Sequence, residues 1–437
     1  MRSDESLRQE FLAAMRECEV VDTHSHTRFP DRYYAEGPYD LFSLNSYFER
    51  DIVGLLGKDP YHGCSTDEEK WERLRTALYK GQNITYWRHN IVAFKKYFDF
   101  TDDDVTDENW KALNDSIRRK TADPNWYEAA TRQAKIKTQV RNIPWFDDWF
   151  TAELVSATDE QIRAAKWQDK WDRRYFTGVL RMEYALFCYR IPMVEQLAAH
   201  TGTNIHDLHS LKVALDRLFD QYIASGAIGL KLAHAYFRTL DSQPVEESVA
   251  AGLFDRALRG ETLSADEIKQ FQDHLIFYMG EMCRERDMLF QIHTGIQHCW
   301  ADVRHANPLH LIPLLSAYPD VRFDIFHAGI PFIHEAGVLC KLFLNTYADM
   351  AWTYVISMAM SREVLSEYID LVPGHRILGF GSDVKFPELI GGHLDMAFSC
   401  AADVLADKVQ NDFLSKREAF SLIHKMFTEN GTELYRL

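Results

Sequence analysis

The residue types best suited to metal chemistry come first in the chain: His24 and His26, in VVDTHSHT, are two imidazoles one residue apart directly after an apolar run. In an extended strand residues i and i+2 point to the same face, so both rings can reach one ion at the end of that strand. With 18 histidines available, an HxH pair arises easily by chance, and its position is what gives this one weight. Three later apolar runs also end in a ligand-type residue: His293 in MLFQIHTG, His327 in VRFDIFHAG and Asp383 in ILGFGSDV. First-row metals accept such mixed nitrogen and oxygen donors, and four strand ends carrying His, His, His and Asp converge if the strands close a barrel. The bland alternative for any one histidine is a hydrogen-bonded core residue; four coincident positions argue against it. Asp383 is the leading general base, since a carboxylate beside a metal-bound water accepts the proton that the metal has made acidic.

Further residues fill out the pocket side. Lys231 sits in AIGLKLAH; buried near a cation, it is costly unless carbamylated, deprotonated or paired, and its alternative is to point outward to solvent. Arg28 follows the HxH by two residues, Arg141 and Arg181 fall in the second and third strand-like runs, and Arg238 follows the fourth. A guanidinium grips a carboxylate in bidentate fashion, which suits an acidic substrate, although each arginine alone is equally a surface ion-pair partner. Trp352, in ADMAWTY, and the His298, Trp300, Arg304, His305 and His310 of HTGIQHCWADVRHANPLHL would line a site for a polar molecule with a ring. Core packing is the competing account of the tryptophans.

What must position these residues is a repeated strand-then-helix pattern. Apolar runs at Cys18 to Asp22, Gly178 to Tyr184, Ala227 to Leu232, Met288 to Ile292, Val321 to Phe326, Tyr347 to Trp352 and Arg376 to Phe380 alternate with segments of helical period. An eighth falls around Ile136 to Asn142, and eight βα units close a (β/α)8 TIM barrel, an α/β fold. The stretch 31–135 carries helical patterns such as WERLRTALYKG and reads as an insertion after the first strand, a lid over the mouth, within one domain spanning 1–437. A separate small helical domain is the alternative.

Composition narrows the partners. At 46% hydrophobic and 26% charged the chain suits a large globular core, and its net charge of −16 disfavours nucleic acid and anionic membranes. No apolar leader is evident in the first twenty residues and no window of 18 apolar residues is expected, so neither secretion nor a membrane span is predicted. Seven cysteines without a CxxC pair read as reduced thiols of a cytoplasmic protein. The expected partners are a small-molecule substrate and further copies of the chain in a homo-oligomer.

On these residues the chain resembles the amidohydrolase superfamily of metal-dependent (β/α)8 enzymes, over nearly its whole length. The GLK of the fourth strand, the HTG, the ANPLHL, the HAG and the terminal NGTELYRL are most similar to the amidohydrolase-related branch, which includes the domain fused to glutamine synthetase-like proteins; uronate isomerases are more distant relatives. The resemblance implies metal binding by His24, His26 and Asp383, with His293 a ligand or close neighbour and His327 either a ligand or a partner of the attacking water and substrate. It implies zinc, or alternatively manganese, with one ion favoured over two. It also implies that Lys231 either bridges two metals in carboxylated form or pairs with substrate.

Three functions follow as expectations. The first is a metal-dependent hydrolase of an amide, lactone or related bond of a small acidic molecule, with Asp383 moving the proton and His327, His293 or Lys231 assisting. The second keeps the metal site for decarboxylation or uronate isomerisation; the long insertion resembles the isomerases, whereas the histidine after the sixth strand fits the other branches. The third is a non-catalytic binding domain, whose sequence mark would be a missing ligand.

Overall fold

The computed structural model describes residues 5–146, 151–298 and 302–437. Its eight strands are β1 Val20–Ser25, β2 Ile136–Ile143, β3 Phe176–Arg181, β4 Ala227–Leu232, β5 Leu289–His293, β6 Arg322–Phe326, β7 Thr346–Asp349 and β8 Ile377–Leu378. They form one sheet in the order β1 to β8 with helices between them, which is the (β/α)8 barrel fold. β4 coincides with its apolar run, whereas β1 runs on through the polar Thr23, His24 and Ser25. β7 ends three residues short of Trp352, whose backbone takes φ +67° and turns the chain into the short helix Thr353–Ile356. β8 is only two residues long, because the glycines that follow serve close approach: a Cβ on Gly381 would meet Ala351 Cβ at 2.5 Å and Thr23 Oγ1 at 2.6 Å.

By internal packing the chain divides into two units: Met1–Gln139 with Met350–Ser366 and Leu378–Gly431, and Val140–Asp349 with Glu367–Ile377 and Thr432–Leu437. In the first, β1 is followed by six helices: α2 Pro30–Glu36, α3 Phe48–Leu56, α4 Asp67–Gly81, α5 Thr85–Tyr97, α6 Trp110–Thr121 and α7 Trp126–Gln133, with α1 Glu5–Glu17 preceding the strand. A capping box starts α4, where Thr66 accepts from the Glu69 amide and the Glu69 carboxylate reaches back to Thr66. The helix Pro387–Gln410 packs on α1, α5 and α7. It corrects the expectation that no long apolar window exists, for it is apolar and long enough to cross a membrane by composition. Most of it is buried inside the unit, and a helix enclosed on every side has no need of a polar face. Its buried Glu388 accepts hydrogen bonds from Tyr33 Oη and Trp126 Nε1.

The second unit contains the parallel ladder β3 to β7. Its register aligns Arg181 with Lys231, Lys231 with Gln291, and Gln291 with Asp324, so one polar row crosses four strands. Barrel interiors are ordinarily filled by branched aliphatic layers, and a polar row there has to satisfy itself. Asp324 accepts from Gln291 Nε2 at 2.7 Å and from Tyr435 Oη at 2.8 Å; burial raises its pKa while Lys231 pulls it down. The described cysteines, Cys18, Cys64, Cys188, Cys283, Cys340 and Cys400, are free thiols, and Cys299 lies outside the described residues.

His89 on α5 shows how burial couples this fold to pH. Its ring is fully buried, with Nε2 donating to the Leu389 carbonyl at 2.7 Å, and desolvation lowers its pKa to about 4. The unfolded chain therefore binds a proton at His89 below about pH 6.5 that the folded chain does not, and stability falls as pH drops from about 6.5 towards 4. In urea unfolding, the wild type should lose roughly 1 kcal/mol more stability between pH 7 and 5.5 than a His89→Asn variant. Parallel pH profiles for the two proteins would contradict this.

Candidate metal centre

In the first unit, the end of β1 and the segment after β8 lie side by side. The Asp383 amide donates to the His24 carbonyl at 2.8 Å, and the Thr23 amide to the Phe380 carbonyl at 3.0 Å. Beneath them Asp22 is fully buried, accepting from the Ser382 amide at 2.7 Å and the Ser382 hydroxyl at 2.6 Å. Desolvation pushes the Asp22 pKa up to about 7, with the Ser382 bonds opposing it. This clasp holds residue 383 with φ +51°, a left-handed conformation that few side chains adopt.

In that conformation the Asp383 carboxylate faces both imidazoles. Its Oδ1 lies 3.5 Å from His24 Nε2 and 3.4 Å from His26 Nε2, and the two rings stand nearly perpendicular with centroids 5.0 Å apart. His24 and Asp383 are buried; His26 is partly open, its side chain 22% exposed. Two donors that each bind a tetrahedral ion at ~2.1 Å stand about 3.4 Å apart, longer than an ordinary N–H···O bond. The distance from Asp383 to each imidazole thus fits a pair of donors sharing one cation, and imidazole with carboxylate is the donor set of zinc and its neighbours. Tyr47 braces the arrangement by donating its hydroxyl to the Asp383 carbonyl.

The second unit brings His293 and His327 together, with His327 Nε2 3.1 Å from His293 Nδ1. His293 Nε2 lies 3.0 Å from the Ile296 carbonyl, to which it donates, leaving Nδ1 to accept from His327. Burial, then the Lys231 charge, lowers the His293 pKa to about 3, so this ring is neutral at ordinary pH. Both its nitrogens have protein partners. Lys231 is buried, its ammonium 3.7 Å from the Phe326 ring centroid. The outward-facing alternative for this lysine therefore does not describe it.

Arg28, Arg181 and Arg238 are each engaged with a carboxylate, whereas Arg141 donates to the Asn142 carbonyl at 2.6 Å. Buried Arg181 pairs with buried Glu183, Nε to Oε1 2.6 Å, and its guanidinium stands over Tyr184. Arg238 bonds Asp273, Gln272 and Ser242. Arg28 pairs with Glu36 and lies 4.5 Å over the Phe386 ring. Trp352 is buried against Tyr47, ring centroids 4.7 Å apart. Arg304 and His305 are exposed, and Trp300 lies outside the described residues.

Sequence reasoning passed over Tyr47, the Asp22–Ser382 clasp and the carboxylates that answer the arginines. Glu183 was within reach, two residues after Arg181, where an extended chain returns a side chain to the same face. Tyr47 carries no local signal: its φ of +66° and its contact to residue 383 exist only in the folded chain.

A barrel whose first strand ends in a His-X-His pair facing an aspartate after the eighth belongs to the class of the amidohydrolase superfamily, and the Amidohydrolase family model matches residues 246–437. The Glucuronate isomerase family model matches residues 59–299, more than half of the sequence. The chain belongs to the glucuronate isomerase family. Among curated proteins it is 25% identical over 333 residues to Protein fluG of Emericella nidulans, a match covering 71% of this chain and 37% of that protein. It is 21% identical over 295 residues to the uronate isomerase of Endomicrobium trichonymphae, covering 63% of this chain and 58% of the other. The matches thus span less than two thirds of those relatives' lengths. Among solved structures, the uronate isomerase of Thermotoga maritima superposes with TM-score 0.79 at 15% identity, covering 98% of this chain and 97% of that one. The glucuronate isomerase of Caulobacter crescentus gives TM-score 0.79 at 16% identity, covering 99% and 94%. At such identities these two structures speak for the fold.

Elemental analysis of the purified protein should find about one equivalent of zinc or manganese, lost in His24→Ala and in Asp383→Ala. Metal retained at wild-type stoichiometry in both variants would remove these residues from the ligand set.

Proposed function

We propose that the protein is a metal-dependent isomerase that interconverts the aldehyde and ketone forms of a uronic acid. The observation that carries this reading is the glucuronate isomerase match over residues 59–299, which takes in most of the helical segment between β1 and β2 together with β2 to β5. Such segments at the mouth of a barrel set its chemistry more than the strands do. Hydrolysis, the first expectation from sequence, takes second place. What favours it is the Amidohydrolase match over residues 246–437, the part containing His293, His327 and Asp383.

Aldose–ketose exchange moves a proton from the carbon beside the aldehyde to the aldehyde carbon, while the proton of that carbon's hydroxyl moves in the same sense to the aldehyde oxygen. Nothing is released, so the enzyme needs a base, a polarised oxygen and exclusion of water. His24, His26 and Asp383 would hold the ion, which when bound supplies Lewis-acid polarisation of a carbonyl oxygen. Asp383 is the base in this reading, a buried carboxylate fixed by the Tyr47 bond to its carbonyl and by the strand pairing to His24. His293, kept neutral by burial, accepts at Nδ1 from His327, and this contact is suited to pass a proton between the two rings.

Incubation of the metal-loaded protein with an aldohexuronic acid should produce a ketone signal by carbon NMR, with product and substrate of equal mass. Asp383→Asn should lower turnover by at least about a hundredfold. Release of carbon dioxide, or of a second fragment from an amide or lactone substrate, would replace this reading with decarboxylation or hydrolysis.

A further inference from the structure

His393, on the helix Pro387–Gln410, is a fully buried histidine that belongs neither to the candidate ligands nor to the Asp22–Ser382 clasp. Its Nδ1 lies 2.9 Å from the Ser382 carbonyl, which can only accept, so Nδ1 carries the hydrogen and donates. Burial holds its pKa well below the usual histidine value, and the ring stays neutral. Phe380 and Tyr354 stand steeply against the ring, with centroids 5.1 and 5.8 Å away, and fix its plane. The Ser382 carbonyl and the Asp383 amide belong to one peptide group. His393 holds its oxygen and the His24 carbonyl holds its N–H at 2.8 Å, so the plane that leads into Asp383 is pinned from both sides. The Tyr47 hydroxyl pins the next peptide group through the Asp383 carbonyl. A non-glycine residue at φ +51° is disfavoured on its own and persists where its surroundings over-determine it.

We infer that His393 is a positioning residue: its Nδ1 bond to the Ser382 carbonyl sets the peptide plane that aims the Asp383 carboxylate at His24 and His26. It acts through Ser382 and supplies no ligand atom. This rests on the reading of Asp383 as a metal ligand and is independent of which reaction the site catalyses. Partners of this kind orient a ligand before the ion arrives, and losing one typically weakens metal binding about ten- to a hundredfold. The clasp below residue 382 and the imidazole beside it divide the task, Asp22 taking the Ser382 amide and hydroxyl and His393 taking its carbonyl.

The zinc affinity of the metal-free protein, measured by competition with a chromophoric chelator, tests this. His393→Leu fills the space but removes the donor, and should raise the zinc Kd about tenfold or more. His393→Asn places an amide nitrogen where Nδ1 stood, and should stay within about threefold of wild type. His393→Gln carries its nitrogen to the place of Nε2 instead and should behave as His393→Leu; where the leucine variant does not fold, the comparison of Gln with Asn decides. Unchanged affinity in the Leu and Gln variants, equal weakening in all three, or a His393→Asn chain that does not fold overturns the inference, because in each case the donor is not what matters. Asp383→Ala is the control. If it weakens zinc binding and His393→Leu does not, this inference alone falls; if Asp383→Ala leaves zinc binding unchanged, the ligand reading falls and the inference with it.

Discussion

A charged or hydrogen-bonding side chain buried at the end of a strand must be answered by another polar group, and this requirement organises both units. Asp22 is answered by Ser382, Arg181 by Glu183, His293 by His327, and Asp324 by Gln291 and Tyr435. Leaving any of these without its partner would cost the desolvation of a buried polar group, about 1–3 kcal/mol or more for a charge. Many of the answering groups stand on a neighbouring strand or just beyond it. A slip of one residue in register would turn the whole set to the opposite face, so the polar pairs specify the alignment of the sheet as firmly as its apolar contacts do.

That logic bears on how an acidic substrate would be held. The protein carries a net charge of −16, yet Arg181 and Lys231 are buried in register on neighbouring strands of the second unit, and Arg238 there is half-buried. Arg181 and Arg238 already bond carboxylates from the same chain. An acidic ligand would have to compete with these carboxylates, and Arg238 also donates to Gln272, Ser242 and the Thr239 and Asp241 carbonyls. Pre-pairing keeps the cations buried and oriented before any ligand arrives.

The strand-end residues were legible in the sequence because the signal is local. A period of two, a polar residue closing an apolar run and a turn-forming glycine are all written within a few positions, and they located His24, His26, His293, His327 and Asp383 on their strands or just after them. The extent of β1 was misjudged because Thr23 and Ser25 are polar in sequence and buried in the fold, where Phe380 and Gln139 satisfy them. The apolar helix Pro387–Gln410 was missed because its window tolerates interspersed His, Asp and Glu, which its packing accommodates. Tyr47 was invisible in this role, since its bond to the Asp383 carbonyl joins segments 336 positions apart.

One glycine pair in that helix has a wider consequence. At Gly391 and Gly392 the backbone comes so near α5 that an added Cβ would collide with Tyr97 at the first and stand 2.8 Å from Ala93 Cβ at the second. The later turns of α5 are thereby locked onto that helix, and even one methyl group at either position would force the two helices apart. The tolerance of this contact to change is set by the spacing of the helices alone, so natural selection can vary the side chains around the glycine pair far more freely than the pair itself.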